Sequence, residues 1–166
     1  MNPEAGFRYI EGQLQCDGVA ADEIAARFGT PCYVYSGALL CQRFRRVRDA
    51  FSPWRALVCF SVKSLGNLSV LRLLAQEGSG FDIVSGGELY RVLEAGGEPA
   101  SIVFGGVGKT AAEIEYALRS GVGMFNIESA SELRAVDRIA QRLGLSARVA
   151  LRVNPDIEAN THEKTT

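Results

Sequence analysis

Histidine and closely spaced cysteines are scarce in this sequence. It has one histidine, His162, and four cysteines with no Cys-x-x-Cys pair among them: Cys16, Cys32, Cys41 and Cys59. A zinc site needs several such ligands at short spacing, so the composition argues against one. Isolated cysteines are typical of reduced, structural thiols. His162 lies in a polar segment, where a solvated imidazole is expected.

Net charge and long apolar runs are also lacking. Eighteen Lys and Arg residues face 19 Asp and Glu residues, for a net charge of -1. Such a balance gives no electrostatic footprint for nucleic acid or an acidic membrane, so neither is an expected partner. The longest apolar run, 56–60, is far shorter than a spanning helix of ~20 residues. The N-terminus lacks the basic and apolar regions of a signal peptide, which makes the cytoplasm the expected compartment.

Glycine is plentiful, and it separates short apolar runs. There are 18 glycines in 166 residues, which is about 11% of the chain against a usual share of ~7%. From Trp54 onward, apolar runs alternate with amphipathic segments. The pattern predicts strands at 56–62, 80–84, 102–104, 124–127 and 148–153, and helices at 67–76, 86–95, 111–120 and 130–143. The strands are continuously apolar, as expected when both faces are buried.

Capping signals support this register of helices. Ser85, Thr110 and Ser129 are each followed three residues later by glutamate, which predicts capping boxes. Glycines such as Gly121 and Gly144 follow the predicted helix ends. Strands that alternate with helices through short loops indicate parallel βαβ units. Two architectures are compatible with them, a (β/α)8 barrel and an open doubly wound sheet.

Residues 1–53 follow a different pattern. A short helix is predicted at 22–28, a strand at 32–35 and a longer helix at 37–51, with a domain boundary at Ser52-Pro53. Four arginines lie on the longer helix, where a solvated basic face is expected because an apolar stripe runs along the other side. They are Arg43, Arg45, Arg46 and Arg48.

Two glycine-rich segments resemble nucleotide-binding motifs without matching them. Residues 105–110 end like a Walker A loop, but the first glycine is replaced by Val103. The segment that starts at Gly78 has Ile83 where a dinucleotide fingerprint needs glycine. Nucleotide binding through either motif is not supported.

Polar residues follow the predicted strands at the edge where α/β proteins bind ligands. The individual residues are Lys63, Asp82, Asn126, Glu128 and Arg152, and the segments 85–88, 105–109 and 154–156 extend this rim after three of the strands. Lys63 has two interpretations: burial would lower its pKa and free the amine for a Schiff base, or the side chain simply reaches water. Asp82 and Arg152 could form a buried ion pair in an active site, or a purely structural pair across a barrel.

Five sequence blocks carry a resemblance to a known family. In order they are 60–63 (FSVK), 80–89 (GFDIVSGGEL), 104–109 (FGGVGK), 125–129 (FNIES) and 151–156 (LRVNPD). Together they resemble the N-terminal part of the diaminopimelate decarboxylases, fold-type III enzymes that use pyridoxal 5'-phosphate (PLP). One departure is Leu65, where the family usually has asparagine two residues after the lysine.

The resemblance implies a partial (β/α)8 barrel of about five strands and four helices within residues 54–166. It implies that Lys63 is catalytic and carries PLP as a Schiff base, and that Asp82 and Arg152 lie near the lysine and the cofactor. The strand at 32–35 would join a second, β-rich domain. The family's remaining PLP contacts would lie beyond Thr166.

The implied reaction is decarboxylation of meso-diaminopimelate to L-lysine and CO2 in lysine biosynthesis, by a homodimer with shared active sites. Two alternatives remain open from the sequence. One is another fold-type III decarboxylase that acts on a different amino acid. The other is a truncated, non-catalytic chain that binds a partner subunit through its open barrel edges.

Overall fold

The computed structural model describes residues 6–54 and 56–153. The segment 154–156, which was expected to extend the rim of polar residues, lies outside the described residues, and so does His162. None of the helices in the described ranges is both long and apolar enough to cross a membrane.

The chain begins with a small antiparallel sheet that the sequence analysis did not predict. Its strands are β1 (Phe7–Ile10), β2 (Gln13–Cys16) and β3 (Val19–Ala20), in that order. The tight turn between β2 and β3 is formed by Asp17 and Gly18, with φ angles of 50° and 86°. Asp-Gly is a strong sequence signal for such a turn, because both positions need positive φ.

Two helices follow the small sheet, α1 (Ala21–Phe28) and α2 (Gly37–Ala50). Both were predicted, but the structure has no strand at 32–35, since these residues join no sheet in the described part of the chain. A strand is stabilised by a hydrogen-bonded neighbour, and an apolar run alone does not supply one.

Asp17 attaches the small sheet to α2. Its carboxylate accepts hydrogen bonds from Gly6 N at 2.8 Å, Ser36 Oγ at 2.7 Å and Ala38 N at 3.2 Å. Partial burial acts to raise the pKa of Asp17, but these hydrogen bonds outweigh it and hold the pKa below its ordinary value. The carboxylate therefore stabilises the helix N-terminus as an anion.

The basic cluster on α2 is a solvated face, as expected. All four of its arginines are exposed, whereas Phe44 on the opposite side is buried. Arg45 and Arg48 both form ion pairs with Glu77. Exposed pairs of this kind contribute little to stability, because solvent and salt screen them.

The rest of the described chain is built around a five-stranded parallel sheet. Its strands are β4 (Cys59–Ser61), β5 (Gly80–Ile83), β6 (Ile102–Phe104), β7 (Met124–Ile127) and β8 (Val149–Leu151), and the connecting helices are α3 (Leu68–Gln76), α4 (Gly86–Glu94), α5 (Ala111–Ser120) and α6 (Ala130–Leu143). The strands lie side by side in sequence order, with no reversal. A doubly wound sheet reverses its order at a switch point, so the arrangement is that of a partial (β/α)8 barrel.

Burial differs between the two faces of this sheet. Phe81, Phe104 and Phe125 have no exposed surface and pack in the core with the helices. The alternate positions, such as Asp82 and Asn126, are only partly buried. The expectation of strands buried on both faces is therefore wrong for this chain, since five strands leave the concave face of the sheet partly open.

Only one of the three predicted capping boxes forms completely. At α5, Thr110 Oγ1 accepts from Glu113 N, and Glu113 Oε2 accepts from Thr110 N at 2.9 Å. Ser85 and Ser129 cap α4 and α6 in the same way, but the partner glutamates bind one residue earlier in the chain. These glutamates hold the strand-to-helix loops, which is where the candidate site lies.

Candidate active site

A cleft of about 470 Å³ lies at the carboxyl ends of the parallel strands. It is lined by Lys63, Asp82, Val84, Gly105, Gly106, Asn126, Glu128, Leu151 and Arg152. The five individual polar residues named for this edge, Lys63, Asp82, Asn126, Glu128 and Arg152, are all among them. A volume in this range is typical of small-molecule sites. A larger depression of about 1070 Å³ lies along α2 on the basic helix face, away from the strand ends.

Lys63 stands directly after β4, in a single 3-10 turn formed by Val62–Ser64. The buried side chain of Val62 anchors this turn in the core, while Lys63 itself is exposed. No hydrogen bond or ion pair engages its amine within the described residues. Of the two interpretations of this lysine, the one in which its side chain reaches water agrees with its exposure. An exposed amine is accessible to a carbonyl compound in the cleft.

Asp82 lies on β5, in register with Ser61 of the neighbouring strand β4. Its carboxylate accepts a hydrogen bond from Ser61 Oγ at 3.0 Å. The side chain is partly buried on the concave face of the sheet and lines the same cleft as Lys63. Asp82 therefore places a carboxylate in the wall of the cleft, held by a contact between adjacent strands.

Arg152 immediately follows β8 and does not pair with Asp82. Its guanidinium contacts Glu128 at 3.4 Å, and 67% of its side chain is exposed. The predicted ion pair is wrong because β5 and β8 are separated by two strands, a span of roughly 14 Å at the usual strand spacing. Both residues nevertheless line the same cleft, and they bring opposite charges to it.

Gly105 and Gly106 form the turn that borders the cleft after β6. A Cβ atom added to Gly105 would meet Asp82 Oδ1 at 3.5 Å, so a side chain here would occupy the wall of the cleft. Gly106 has a φ of +91°, which residues with a Cβ rarely adopt. The turn leaves the ends of β5 and β7 open toward the cleft.

Lys109 follows this turn, and its burial is a feature that the sequence analysis did not predict. Its side chain has no exposed surface, and its ammonium group forms an ion pair with Glu132 at 2.6 Å. It also donates hydrogen bonds to Gly106 O at 2.7 Å and Asn126 O at 2.8 Å. The one signal in the sequence was a lysine in an otherwise uncharged glycine loop, because a buried lysine requires partners.

Glu113 ties the preceding loop to the next helix. Its Oε1 accepts a hydrogen bond from Gly86 N at 2.8 Å, while its other oxygen completes the capping box with Thr110. The hydrogen bonds from Gly86 and Thr110 outweigh desolvation and hold the pKa of Glu113 below its ordinary value. The loops around the cleft are thus cross-linked by charged side chains.

Most of the chain matches a known protein family. Residues 38–166 match the family described as "Pyridoxal-dependent decarboxylase, pyridoxal binding domain". The chain is 53% identical over 156 residues to the diaminopimelate decarboxylase of Pseudomonas aeruginosa, covering 94% of this chain and 38% of that protein. It therefore spans well under half the length of this relative.

Solved structures agree with the sequence relatives. The diaminopimelate decarboxylase of Helicobacter pylori, complexed with L-lysine, superposes with a TM-score of 0.83 at 44% identity, over 86% of this chain and 36% of that one. The enzyme of M. jannaschii, also in complex with L-lysine, gives a TM-score of 0.88 at 36% identity, over 97% of this chain and 38% of that one. The five-stranded sheet thus corresponds to part of a larger enzyme fold in both.

Proposed function

The chain belongs to the pyridoxal-dependent decarboxylase family, and from this premise we propose that it is the N-terminal part of a PLP-dependent enzyme that decarboxylates meso-diaminopimelate to L-lysine and CO2. The similarity to diaminopimelate decarboxylases supports this substrate. In this proposal Lys63 is the catalytic lysine that binds PLP, and Asp82 and Arg152 are the cofactor-binding residues.

The observation that carries the proposal is the contrast between two lysines. The sequence has three lysines: Lys63, Lys109 and Lys164. Within the described residues, Lys63 is exposed beside the cleft, whereas all three N–H groups of Lys109 are used by protein acceptors. Only an amine that is not already bound can attack the aldehyde of PLP, so Lys63 fits the cofactor and Lys109 does not.

The charges that line the cleft also fit a zwitterionic ligand with an anionic group. Arg152 offers an exposed guanidinium that can bind a carboxylate or phosphate oxygen, and its backbone N is fixed to Ile127 O at 3.0 Å. Asp82 supplies a carboxylate that can accept a hydrogen bond from a cationic nitrogen. The glycines at 105–106 place no side chain in the wall of the cleft beside these groups.

When bound, PLP supplies the electron sink that stabilises the charge left behind as CO2 departs. Lys63 would hold the cofactor through its amine and would release it to the substrate amine, which requires its side chain to move within the cleft. Its exposed position within a single 3-10 turn allows that movement, while the buried Val62 fixes the backbone. Ser61 holds the Asp82 carboxylate in place, so this carboxylate can orient a cationic nitrogen of the bound ligand.

We also propose that the enzyme works as a homodimer in the cytoplasm. The dimer rests on the family resemblance, and the compartment rests on the reduced, unpaired cysteine pattern of the sequence. Analytical ultracentrifugation of the full-length protein tests the dimer, with a mass of one chain as the contradicting result.

The activity is tested on the full-length protein by CO2 release from meso-diaminopimelate, ornithine and arginine, each with and without PLP. Release from meso-diaminopimelate that depends on added PLP is the expected result. Preferential release from ornithine or arginine would contradict the substrate but keep the reaction class. Absence of release and of PLP binding would instead favour a non-catalytic chain that binds a partner subunit.

A further inference from the structure

We propose that Lys109 is a positioning residue: its buried ammonium group fixes two neighbouring strand ends of the cleft on which the proposed PLP site depends. The proposal rests on the function proposed above, but it concerns contacts that the structure shows within this chain. Lys109 itself does not line the cleft and acts through the groups that it binds.

The environment of Lys109 is unusually demanding for a charged group. Its side chain has no exposed surface, and its Nζ lies 5.6 Å from the centre of the Phe104 ring. Burial of an ammonium group is costly unless every N–H is satisfied. Lys109 meets this condition with three acceptors at 2.6 to 2.8 Å, which makes the arrangement geometrically rigid.

Two of these acceptors belong to the ends of neighbouring strands that line the cleft. Gly106 O is in the turn after β6, and Asn126 O is near the end of β7. Both residues line the cleft with their own atoms. One ammonium group therefore sets the distance between the glycine turn and the neighbouring strand end.

The third acceptor extends the arrangement toward Arg152. Glu132 Oε1 accepts a hydrogen bond from the Lys109 ammonium group, and Glu132 Oε2 accepts one from Glu128 N at 2.8 Å. The Glu128 carboxylate in turn pairs with Arg152. A continuous path of polar contacts thus runs from Lys109 to the guanidinium that we propose as a cofactor ligand.

A purely structural ion pair would predict something different from a positioning role. If Lys109 only neutralised the Glu132 charge, replacing both residues with neutral ones would restore stability and leave the cleft intact. If it holds the two strand ends together, the same double replacement would restore stability but not PLP affinity, because Gly106 O and Asn126 O lose their common donor.

The experiment measures PLP dissociation constants and melting temperatures of the full-length apo-protein and three variants. Lys109→Met keeps the apolar stem of the side chain but removes the three donors. The double variant Lys109→Met/Glu132→Gln leaves no charge buried alone, and the new amide oxygen can still accept from Glu128 N. The control is Ile139→Ala, a core change on the same helix that leaves these polar contacts in place.

We expect the double variant to melt near the unaltered protein and to bind PLP at least about tenfold more weakly, with kcat/KM reduced on the order of 100-fold. Ile139→Ala should lose thermal stability but bind PLP within about twofold of the unaltered protein when folded. If Lys109→Met does not fold, the double variant carries the test.

PLP affinity within about twofold of the unaltered protein in the double variant would overturn the positioning role while leaving the proposed function in place. An equal loss of affinity in Ile139→Ala would also overturn it, since the effect would then follow from stability alone. Failure of the unaltered protein to bind PLP would overturn the proposed function and this inference together.

Discussion

Alanine substitutions at the two glycines of the cleft turn should affect different properties: Gly106→Ala should lower stability, and Gly105→Ala should lower PLP affinity. Gly106 has a φ of +91°, and an added Cβ would meet Val84 Cβ at 3.2 Å. The left-handed backbone alone costs a residue with a side chain ~1–2 kcal/mol, and the tight contact adds to it. We therefore expect Gly106→Ala to lower the free energy of unfolding by about 2 kcal/mol.

Gly105→Ala should leave stability nearly unchanged. Its Cβ would meet Asp82 Oδ1 at 3.5 Å and Asn126 Nδ2 at 3.9 Å, both ordinary contact distances. A substitution that fits its backbone changes stability by no more than about 1 kcal/mol. The new methyl group would instead occupy the wall of the cleft next to Asp82, so the variant should bind PLP more weakly.

Urea unfolding and PLP titration of the two full-length variants measure these effects side by side. The geometry predicts that stability falls more in Gly106→Ala and that Gly105→Ala loses affinity without losing stability. A larger stability loss in Gly105→Ala, or its full affinity for PLP, would refute the described position of the turn.

Further predictions concern the loops and strand starts around the site. Glu113→Gln should cost about 1 kcal/mol at pH 7, the usual value of a helix cap. Because the folded-state pKa of Glu113 is lowered, its contribution to stability is present above its ordinary pKa and disappears as pH falls through the folded-state value. The urea midpoints of the parent and of Glu113→Gln should therefore converge in acid. A difference between the two midpoints that does not change with pH would contradict this. Gly123→Ala should cost about 3 kcal/mol or more, because its Cβ would lie 2.0 Å from Ala100 O; a urea midpoint unchanged from the parent would contradict the close approach of these segments.

The parallel part of the fold was readable from the sequence because its signals are local. Apolar runs, capping residues and C-terminal glycines predicted β6, β7, α5 and α6 with the bounds that the structure has. The small N-terminal sheet was missed although Asp17-Gly18 marked a turn, since its strands are only two to four residues long and alternate weakly.

The site was only partly predictable, since side-chain partners depend on which strands are neighbours. Strand ends identified Lys63, Asp82 and Arg152 as residues of one cleft, and the structure brings them together there. The sequence could not predict that Arg152 pairs with Glu128, because that contact depends on the order of strands in the sheet. The burial of Lys109 could not be predicted from the sequence either, since its three acceptors come from three different segments.

The central claim is that Lys63 is the lysine that binds PLP. The most direct test adds PLP to the full-length protein, reduces the complex with borohydride so that the lysine–pyridoxal bond becomes permanent, and maps the labelled peptide by mass spectrometry. We expect a complex that is yellow before reduction and carries the label on Lys63 afterwards, and loss of the label in Lys63→Ala. A label on Lys109 or another lysine, or a protein that stays colourless with PLP, would contradict it.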